Sequence, residues 1–200
     1  MILSVDLAAK FSAVVARELG GEVALQFDSR GLAPLQFASK VAEIARREDC
    51  ELVLIEDVPY GISSQAMTKP VLRLQGILIA FLHPVLENVF WVSPSRWMSD
   101  FPGIQTGPKG LSKSMKDKAR IEAARQHAED RGYTAPDLIA EYVQSLPPGT
   151  RVLKKHTVPL EKSMTDYVSA FLMSEWALGV LNNEGREHLL DLQGVSPSMI

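Results

Sequence analysis

The chain has 200 residues, which is enough for one domain with a sizeable core, and its 46% hydrophobic content is ordinary for a globular protein. Its formal net charge of −3 excludes a general basic excess, so binding to nucleic acid would require a local basic patch. The single cysteine, Cys50, excludes a disulfide within the chain and favours a reducing compartment.

The first 93 residues predict a sheet with two helices. Alternating or continuous apolar runs predict strands, which cover residues 1–5, 11–19, 22–27, 51–56 and 88–93. Helical spacing of apolar residues predicts helices over 34–48 and 68–85. The first three strands form a meander, and helices precede the last two, so we predict an α/β domain with a mixed sheet.

The second half of the chain predicts mainly helices. Residues 94–113 contain three prolines and three glycines, and we expect them to be irregular. Helices are predicted over residues 114–131, 136–145 and 164–182. A short strand is predicted over 151–158, and residues 191–200 are expected to form a loose tail after a single domain of residues 1–190.

The most apolar long segment, residues 76–92, does not have the pattern of a membrane span. Polar residues and a proline interrupt it, so a buried helix followed by a strand is favoured. The N-terminus has no basic region followed by an apolar core, so no secretory signal is indicated. We therefore expect a cytoplasmic protein.

Acidic residues stand at two predicted strand ends and near the beginning of a predicted helix. Asp6 follows the first strand, Glu56 ends the fourth, and Asp166 lies at the beginning of the last helix. Sites in open α/β sheets lie at the carboxyl ends of strands. Carboxylates that converge there require a cation, and Mg²⁺ prefers oxygen ligands. The pattern therefore predicts a metal site suited to phosphodiester hydrolysis.

Each of these acids also has an ordinary structural explanation. Asp6 can begin a turn, Glu56 and Asp57 can be solvated residues at a strand end, and Asp166 can interact with the dipole of its helix. The metal interpretation is favoured because all three acids occur at suitable places in one order of elements.

Six segments resemble the RuvC-type Holliday junction resolvases of the RNase H-like nuclease superfamily. They are ILSVDLA, LVLIEDVPYG, LRLQGILIAFL, VFWVSPSRWM, SKSMKDKARI and MTDYVSAF. The resemblance implies an RNase H-like mixed five-stranded sheet flanked by helices. It also implies a crossover junction endodeoxyribonuclease that uses Mg²⁺ or Mn²⁺, with two ions per site, and acts as a homodimer. Residues from about 133 to 158 have no counterpart and are interpreted as an insertion.

The resemblance assigns roles to individual residues. Asp6 and Glu56 match the first two metal ligands of the family, and Asp166 matches the first of two positions on its closing helix. The second of those positions holds Ser169 where the family has an acid. This departure leaves either a three-carboxylate site or a site completed by another acid. Asp57 is nearby, whereas Glu175, another alternative, lies more than two helical turns beyond Asp166.

Although the net charge is negative, one segment of the sequence is locally basic. Five cations lie within twelve residues with only Asp117 opposing them: Lys109, Lys113, Lys116, Lys118 and Arg120. Such a cluster favours contacts to DNA phosphates, and its structural alternative is a solvated helix face. Lys118 also matches the family's lysine near the scissile phosphate. Tyr60 lies one position after the family's aromatic wedge, and packing within its loop explains it equally well.

These observations predict a nuclease that resolves Holliday junctions or other branched DNA, encoded by a bacterium or by a phage in a bacterial host. The apolar helix over 71–82 is a candidate for part of the homodimer interface, and burial beneath other helices explains its apolar surface equally well. Two alternatives remain. One is a less selective nuclease for flaps, forks or RNA–DNA hybrids, and the other is a junction-binding module with weak or no catalysis.

Overall fold

The computed structural model describes residues 1–8, 11–57, 65–106 and 108–192. Its strands form one five-stranded sheet. They are β1 (Ile2–Asp6), β2 (Ala13–Arg17), β3 (Val23–Asp28), β4 (Leu52–Glu56) and β5 (Val89–Val92). All five coincide with predicted strands.

The order of strands across the sheet is β3-β2-β1-β4-β5. The β1–β2 and β2–β3 pairs are antiparallel, as a meander requires, and β4 and β5 continue the sheet in parallel with β1. A helix crosses over before each of these two strands, as parallel neighbours require. The predicted mixed five-stranded α/β sheet is therefore confirmed.

Seven helices lie in the described ranges of the chain, with a 3₁₀ turn over His83–Asn88. They are α1 (Pro34–Arg47), α2 (Gln65–Leu82), α3 (Pro94–Met98), α4 (Lys113–Glu129), α5 (Leu138–Ser145), α6 (Lys154–Glu184) and α7 (Arg186–Leu192). Within those ranges no helix has both the length and the apolar composition needed to cross a membrane. The predicted helices correspond to α1, α2, α4, α5 and part of α6.

Two predictions about irregular or extended segments were wrong. The region 94–113 contains α3, a short helix that begins at Pro94 and buries Trp97. The strand predicted over 151–158 is absent, because α6 already begins at Lys154. Pro159 lies near the beginning of α6, where its missing N–H removes only one intrahelical hydrogen bond. Of the predicted tail, residues 193–200 lie outside the described residues.

The sheet is buried on both faces, as the continuous apolar runs of β1 and β4 require. Leu3, Val5 and Ile55 belong to a core that α1 and α2 cover. Ile2 and Leu54 belong to a second core, which α6 and parts of α3, α4 and α5 cover. Because successive side chains of a strand alternate between the faces, the even-numbered residues of β1 and β4 point to α6.

The strand register aligns acidic residues at one end of the sheet. Asp6 pairs with Ala13, and Ala13 pairs with Asp28. Val5 pairs with Ile55, so Glu56 follows Ile55 at the position beside Asp6. Alternation places these acids on the face that α6 covers. The register thus brings Asp28, Asp6 and Glu56 into one row beneath α6.

A buried arginine joins β2 to α6. The Arg17 guanidinium donates to Gly21 O, to Ser174 Oγ at 3.4 Å and to Glu175 Oε2 at 2.6 Å. It also lies 4.4 Å from the centre of the Phe171 ring. These contacts fix α6 on the sheet at a point more than two turns beyond Asp166.

Replacing Arg17 by Ala is expected to lower the free energy of unfolding by roughly 2–4 kcal/mol, because Glu175 loses its main partner inside the fold. The matched control is Arg131, whose contact with Glu175 is longer, at 3.5 Å, and more exposed. Its replacement by Ala should cost less than about 1 kcal/mol. Urea unfolding measures both values, and equal losses would contradict the structural role of Arg17.

Candidate functional site

The three acids singled out in the sequence lie together in the structure. Asp6 ends β1, Glu56 ends β4, and Asp166 lies on the face of α6 that covers them. Asp6 and Asp166 are buried, and Glu56 is half-buried. The charge of Glu56 acts on Asp6, and the charge of Asp6 acts on Asp166. The convergence expected from the strand ends is therefore present.

Asp6 and Glu56 form a hydrogen-bonded pair of carboxyl groups. Such a bond requires that the two carboxyl groups share one proton. The Ser169 hydroxyl donates to Asp6, and the Trp97 indole Nε1–H donates to Glu56 Oε1 at 3.2 Å. The protein thus supplies two fixed donors and one shared proton to a pair that would otherwise repel.

All three acids hold their protons more tightly than exposed carboxyls do. Burial raises the pKa of Asp6 well above its ordinary value, and the neighbouring charge of Glu56 raises it further. Burial, followed by the charge of Asp6, raises the pKa of Asp166 to about 8. Burial is also the largest cause of the raised pKa of Glu56. The Lys162 ammonium opposes the shift at Asp6 and Asp166.

The raised pKa values are those of an acid cluster without a cation. Among the described residues, no three His, Cys, Asp or Glu side chains are arranged so that they could hold a metal ion. Asp6 and Glu56 direct oxygens at each other instead, through their shared proton. A hard divalent cation prefers such oxygen ligands and can replace that proton. The three carboxyl groups are thus of the chemical type that Mg²⁺ or Mn²⁺ prefers, and holding such an ion would require their oxygens to turn from each other toward it.

The two acids considered as substitutes at the Ser169 position are engaged elsewhere. Glu175 pairs with Arg17 at 2.6 Å and with Arg131 at 3.5 Å. Asp57 accepts a hydrogen bond of 3.4 Å from Gln75 Nε2, on the face of the sheet that α2 covers. Ser169 itself faces the site and donates to Asp6.

A fourth carboxylate, which was not predicted from the sequence, lies in the same row of the sheet. Asp28 ends β3 and is close enough to Asp166 for its charge to raise the pKa of Asp166. Arg30 donates to both Asp28 oxygens, at 2.9 Å from its backbone N and at 2.6 Å from Nε. Tyr167 also hydrogen-bonds to Asp28. These partners hold the Asp28 carboxylate in place beside the site, and the Arg30 guanidinium offsets its negative charge.

The basic residues do not form a single stripe. Lys118 lines an open groove of about 760 Å³ that also contains Asp166, and its role near a scissile phosphate stays a prediction. Lys113 and Lys116 lie on a different face of α4 from Lys118, because helical spacing separates them. Arg120 donates to Ile104 O at 2.5 Å and so also fixes the preceding loop. Lys109 is exposed.

The DNA-binding roles of these five cations remain predictions. The segment with Tyr60, the residue predicted as the wedge, lies outside the described residues.

Two further residues at the site were not predicted to act there. Trp97 is buried and binds Glu56, but its position became clear only with α3, a helix that was not predicted from the sequence. Lys162 lies one turn before Asp166 on α6. The predicted helix began at residue 164, so the sequence did not predict that Lys162 and Asp166 share one face of a helix.

Comparisons with known proteins identify the fold. Neither a family model nor a curated protein sequence matches the chain. Among solved structures, it aligns with Thermus thermophilus RuvC in complex with a Holliday junction substrate at a TM-score of 0.52 and 8% identity. That alignment covers 92% of this chain and 96% of the other. The chain has the RNase H-like fold of RuvC.

Two other solved structures align more weakly. Another structure of Thermus thermophilus RuvC has a TM-score of 0.48 at 13% identity, covering 90% of this chain and 95% of that chain. The Fowlpox virus resolvase in complex with Holliday junction DNA also has a TM-score of 0.48, at 16% identity, covering 90% and 97%. At these identities the comparisons concern the fold.

Stability without metal is expected to depend on the Asp166 carboxyl. Asp166 has a pKa of 3.8 in the unfolded chain and about 8 in the folded protein. Because the folded state binds this proton more tightly, its contribution to the free energy of unfolding is complete below pH 3.8. In EDTA, the free energy of unfolding should therefore fall as the pH rises from about 4 to 8, with a slope of up to ~1.4 kcal/mol per pH unit. Urea unfolding at several pH values measures this.

Asp166→Asn is expected to reduce the steepness of that pH profile, because the amide does not ionise, while the raised pKa values of Asp6 and Glu56 leave part of the dependence in place. Glu129→Gln, on the exposed surface of α4, is the control and should leave the profile unchanged. A profile that is as steep in Asp166→Asn as in the wild type would show that another group causes the pH dependence.

Proposed function

We propose that the chain is a metal-dependent, structure-selective endodeoxyribonuclease that cuts Holliday junctions or other branched DNA. The observation that carries this proposal is the convergence of Asp6, Glu56 and Asp166 at the carboxyl end of the central strands, beside the groove that contains Lys118. The RNase H-like fold supports it, since the aligned RuvC structure holds a Holliday junction substrate.

The proposed reaction is hydrolysis of a phosphodiester. The oxygen of water forms a new bond to phosphorus, in line with the bond from phosphorus to the leaving oxygen. That second bond breaks, the attacking water loses a proton, and the leaving oxygen takes one. Divalent ions held by Asp6, Glu56 and Asp166 would neutralise charge on the attacking and leaving oxygens. Loss of the proton shared by Asp6 and Glu56 prepares those two carboxylates as ligands.

The neighbouring residues position these ligands. Trp97 fixes one oxygen of Glu56, and Ser169 fixes the Asp6 carboxyl. Hydrogen-bonded partners of this kind orient ligands and tune their basicity. Lys118 lies on the wall of the groove and would stabilise negative charge on the scissile phosphate.

We propose that two copies of the chain act together, because a four-way junction offers two symmetry-related strands. Helix α2 presents an exposed face with Leu72, Gly76 and Ile79 at helical spacing. A side chain placed at Gly76 would meet open space, so another surface can approach closely there. This face can form the centre of an isologous interface.

Ser169 favours one alternative function. An uncharged residue at this position removes one negative ligand from the set that the family resemblance implies. A chain with too weak a metal site would bind branched DNA without cutting it. A cleavage assay on a four-way junction distinguishes this junction-binding module from the nuclease.

The nuclease is expected to make paired, symmetric nicks in a labelled four-way junction with Mg²⁺ or Mn²⁺, and none with EDTA. Glu56→Gln should reduce the nicking rate by at least ~10²-fold, because a neutral amide is a poorer ligand for a divalent ion than a carboxylate. Glu51→Gln, exposed just before β4, is the matched control and should cut like the wild type.

A matched linear duplex in the same assay decides the substrate. Equal cutting of the duplex would show a less selective nuclease. Assays with flaps, forks and RNA–DNA hybrids would then identify its substrates. Tight junction binding without any nick, in either metal, would contradict the nuclease and support the binding module.

The α2 interface is tested by its effect on self-association. Ile79→Asp should shift the protein from dimer to monomer in sedimentation experiments, because it places a charge at the centre of an apolar contact. Val143→Asp, exposed on α5, is the control and should leave the mass unchanged. A wild-type chain that is monomeric at all concentrations would exclude this interface.

A further inference from the structure

The groove beside Asp166 has cations on both of its walls. Helix α4 contributes Lys118 and Arg125, and the beginning of α6 contributes Lys162. Apolar side chains lie between them, including Ile121 and Met164. A surface that alternates cations and apolar groups suits one nucleic-acid strand, whose phosphates and bases make different contacts.

Lys162 is the cation that the site and the groove share. It lies four residues before Asp166, so both side chains are on the same face of α6. Both line the groove, and Lys162 is exposed to solvent. Within the described part of the chain, the Lys162 ammonium forms no ion pair with a carboxylate. It is therefore available to an anionic ligand.

The charge of Lys162 reaches two of the three acids. It favours the ionised forms of Asp6 and of Asp166, although it is not in salt-bridge contact with either. A cation placed there compensates part of the negative charge while DNA and metal are absent. The same cation repels a divalent ion that approaches those carboxylates.

We propose that Lys162 binds a DNA phosphate next to the scissile one, opposite Lys118, so that the strand to be cut lies in the groove between α4 and α6. This inference rests on the proposed function and adds a specific contact to it. Without DNA, Lys162 weakens metal binding by its charge, and a phosphate bound to Lys162 removes that effect. Binding of DNA and binding of metal are thereby coupled.

Two carboxylates in the groove limit the size of the effect. Glu122 and Glu161 also line it, so the groove is not strongly positive as a whole. A phosphate must then be recognised at particular cations rather than by a general positive field. Replacing Lys162 alone should therefore produce a measurable loss of phosphate binding.

The first test measures binding to a fluorescent four-way junction in EDTA over a series of salt concentrations. Lys162→Gln should weaken binding roughly 3- to 10-fold and reduce the slope of log K against log salt by about 0.7–0.9, the value for one lost phosphate contact. Lys154→Gln is the control, since Lys154 is exposed on α6 but does not line the groove. An unchanged slope for Lys162→Gln would overturn the phosphate contact.

The second test measures Mn²⁺ binding to the protein without DNA by calorimetry. Lys162→Gln should bind Mn²⁺ roughly 2- to 5-fold more tightly, because a competing positive charge is gone. Loss of a merely structural residue would not tighten metal binding. Weaker or unchanged Mn²⁺ affinity would overturn the coupling.

The two tests separate this inference from the proposed function. A wild-type chain that binds junctions but never nicks them contradicts the nuclease, whereas the salt slope of Lys162→Gln still decides the phosphate contact. A wild-type chain that nicks junctions, with normal slope and normal Mn²⁺ affinity in Lys162→Gln, contradicts only the role of Lys162.

Discussion

The repulsion among three carboxyl groups, two buried and one half-buried, is the constraint on which the site depends. Asp6, Glu56 and Asp166 would not remain together as free anions in a protein interior. The protein compensates with a proton shared between Asp6 and Glu56, with hydrogen bonds from Ser169 and other neutral donors, and with the charge of Lys162. A divalent cation would do the same more strongly, which links the fold to the proposed chemistry.

The surrounding architecture holds this cluster in place against its own repulsion. β1 and β4 are buried on both faces, so the acids at their ends are attached to rigid elements. Asp166 depends on the placement of α6, a helix of 31 residues. The bond between Arg17 and Glu175 fixes α6 farther along, so stability and site geometry depend on the same helix packing.

The likeness to RuvC concerns the fold, and the chemistry of the site follows from this chain's own residues. Ser169 stands where the family resemblance implies an acid, and Lys162 is a cation one turn before Asp166. Both residues make the site less negative than a set of four carboxylates. A less negative site binds metal less tightly and accepts a DNA phosphate more readily.

The sequence by itself determined the strands, most helices and the three acids, because apolar periodicity and residues at strand ends are local signals. It did not reveal where α6 begins, because the pattern of residues 151–158 resembles a strand and Pro159 follows directly after it. The role of Trp97 depends on Glu56, a partner distant in the sequence, and the role of Lys162 depends on a helix that begins earlier than predicted. Only the tertiary structure decided these contacts, because helix packing brings together residues whose local sequences carry no sign of each other.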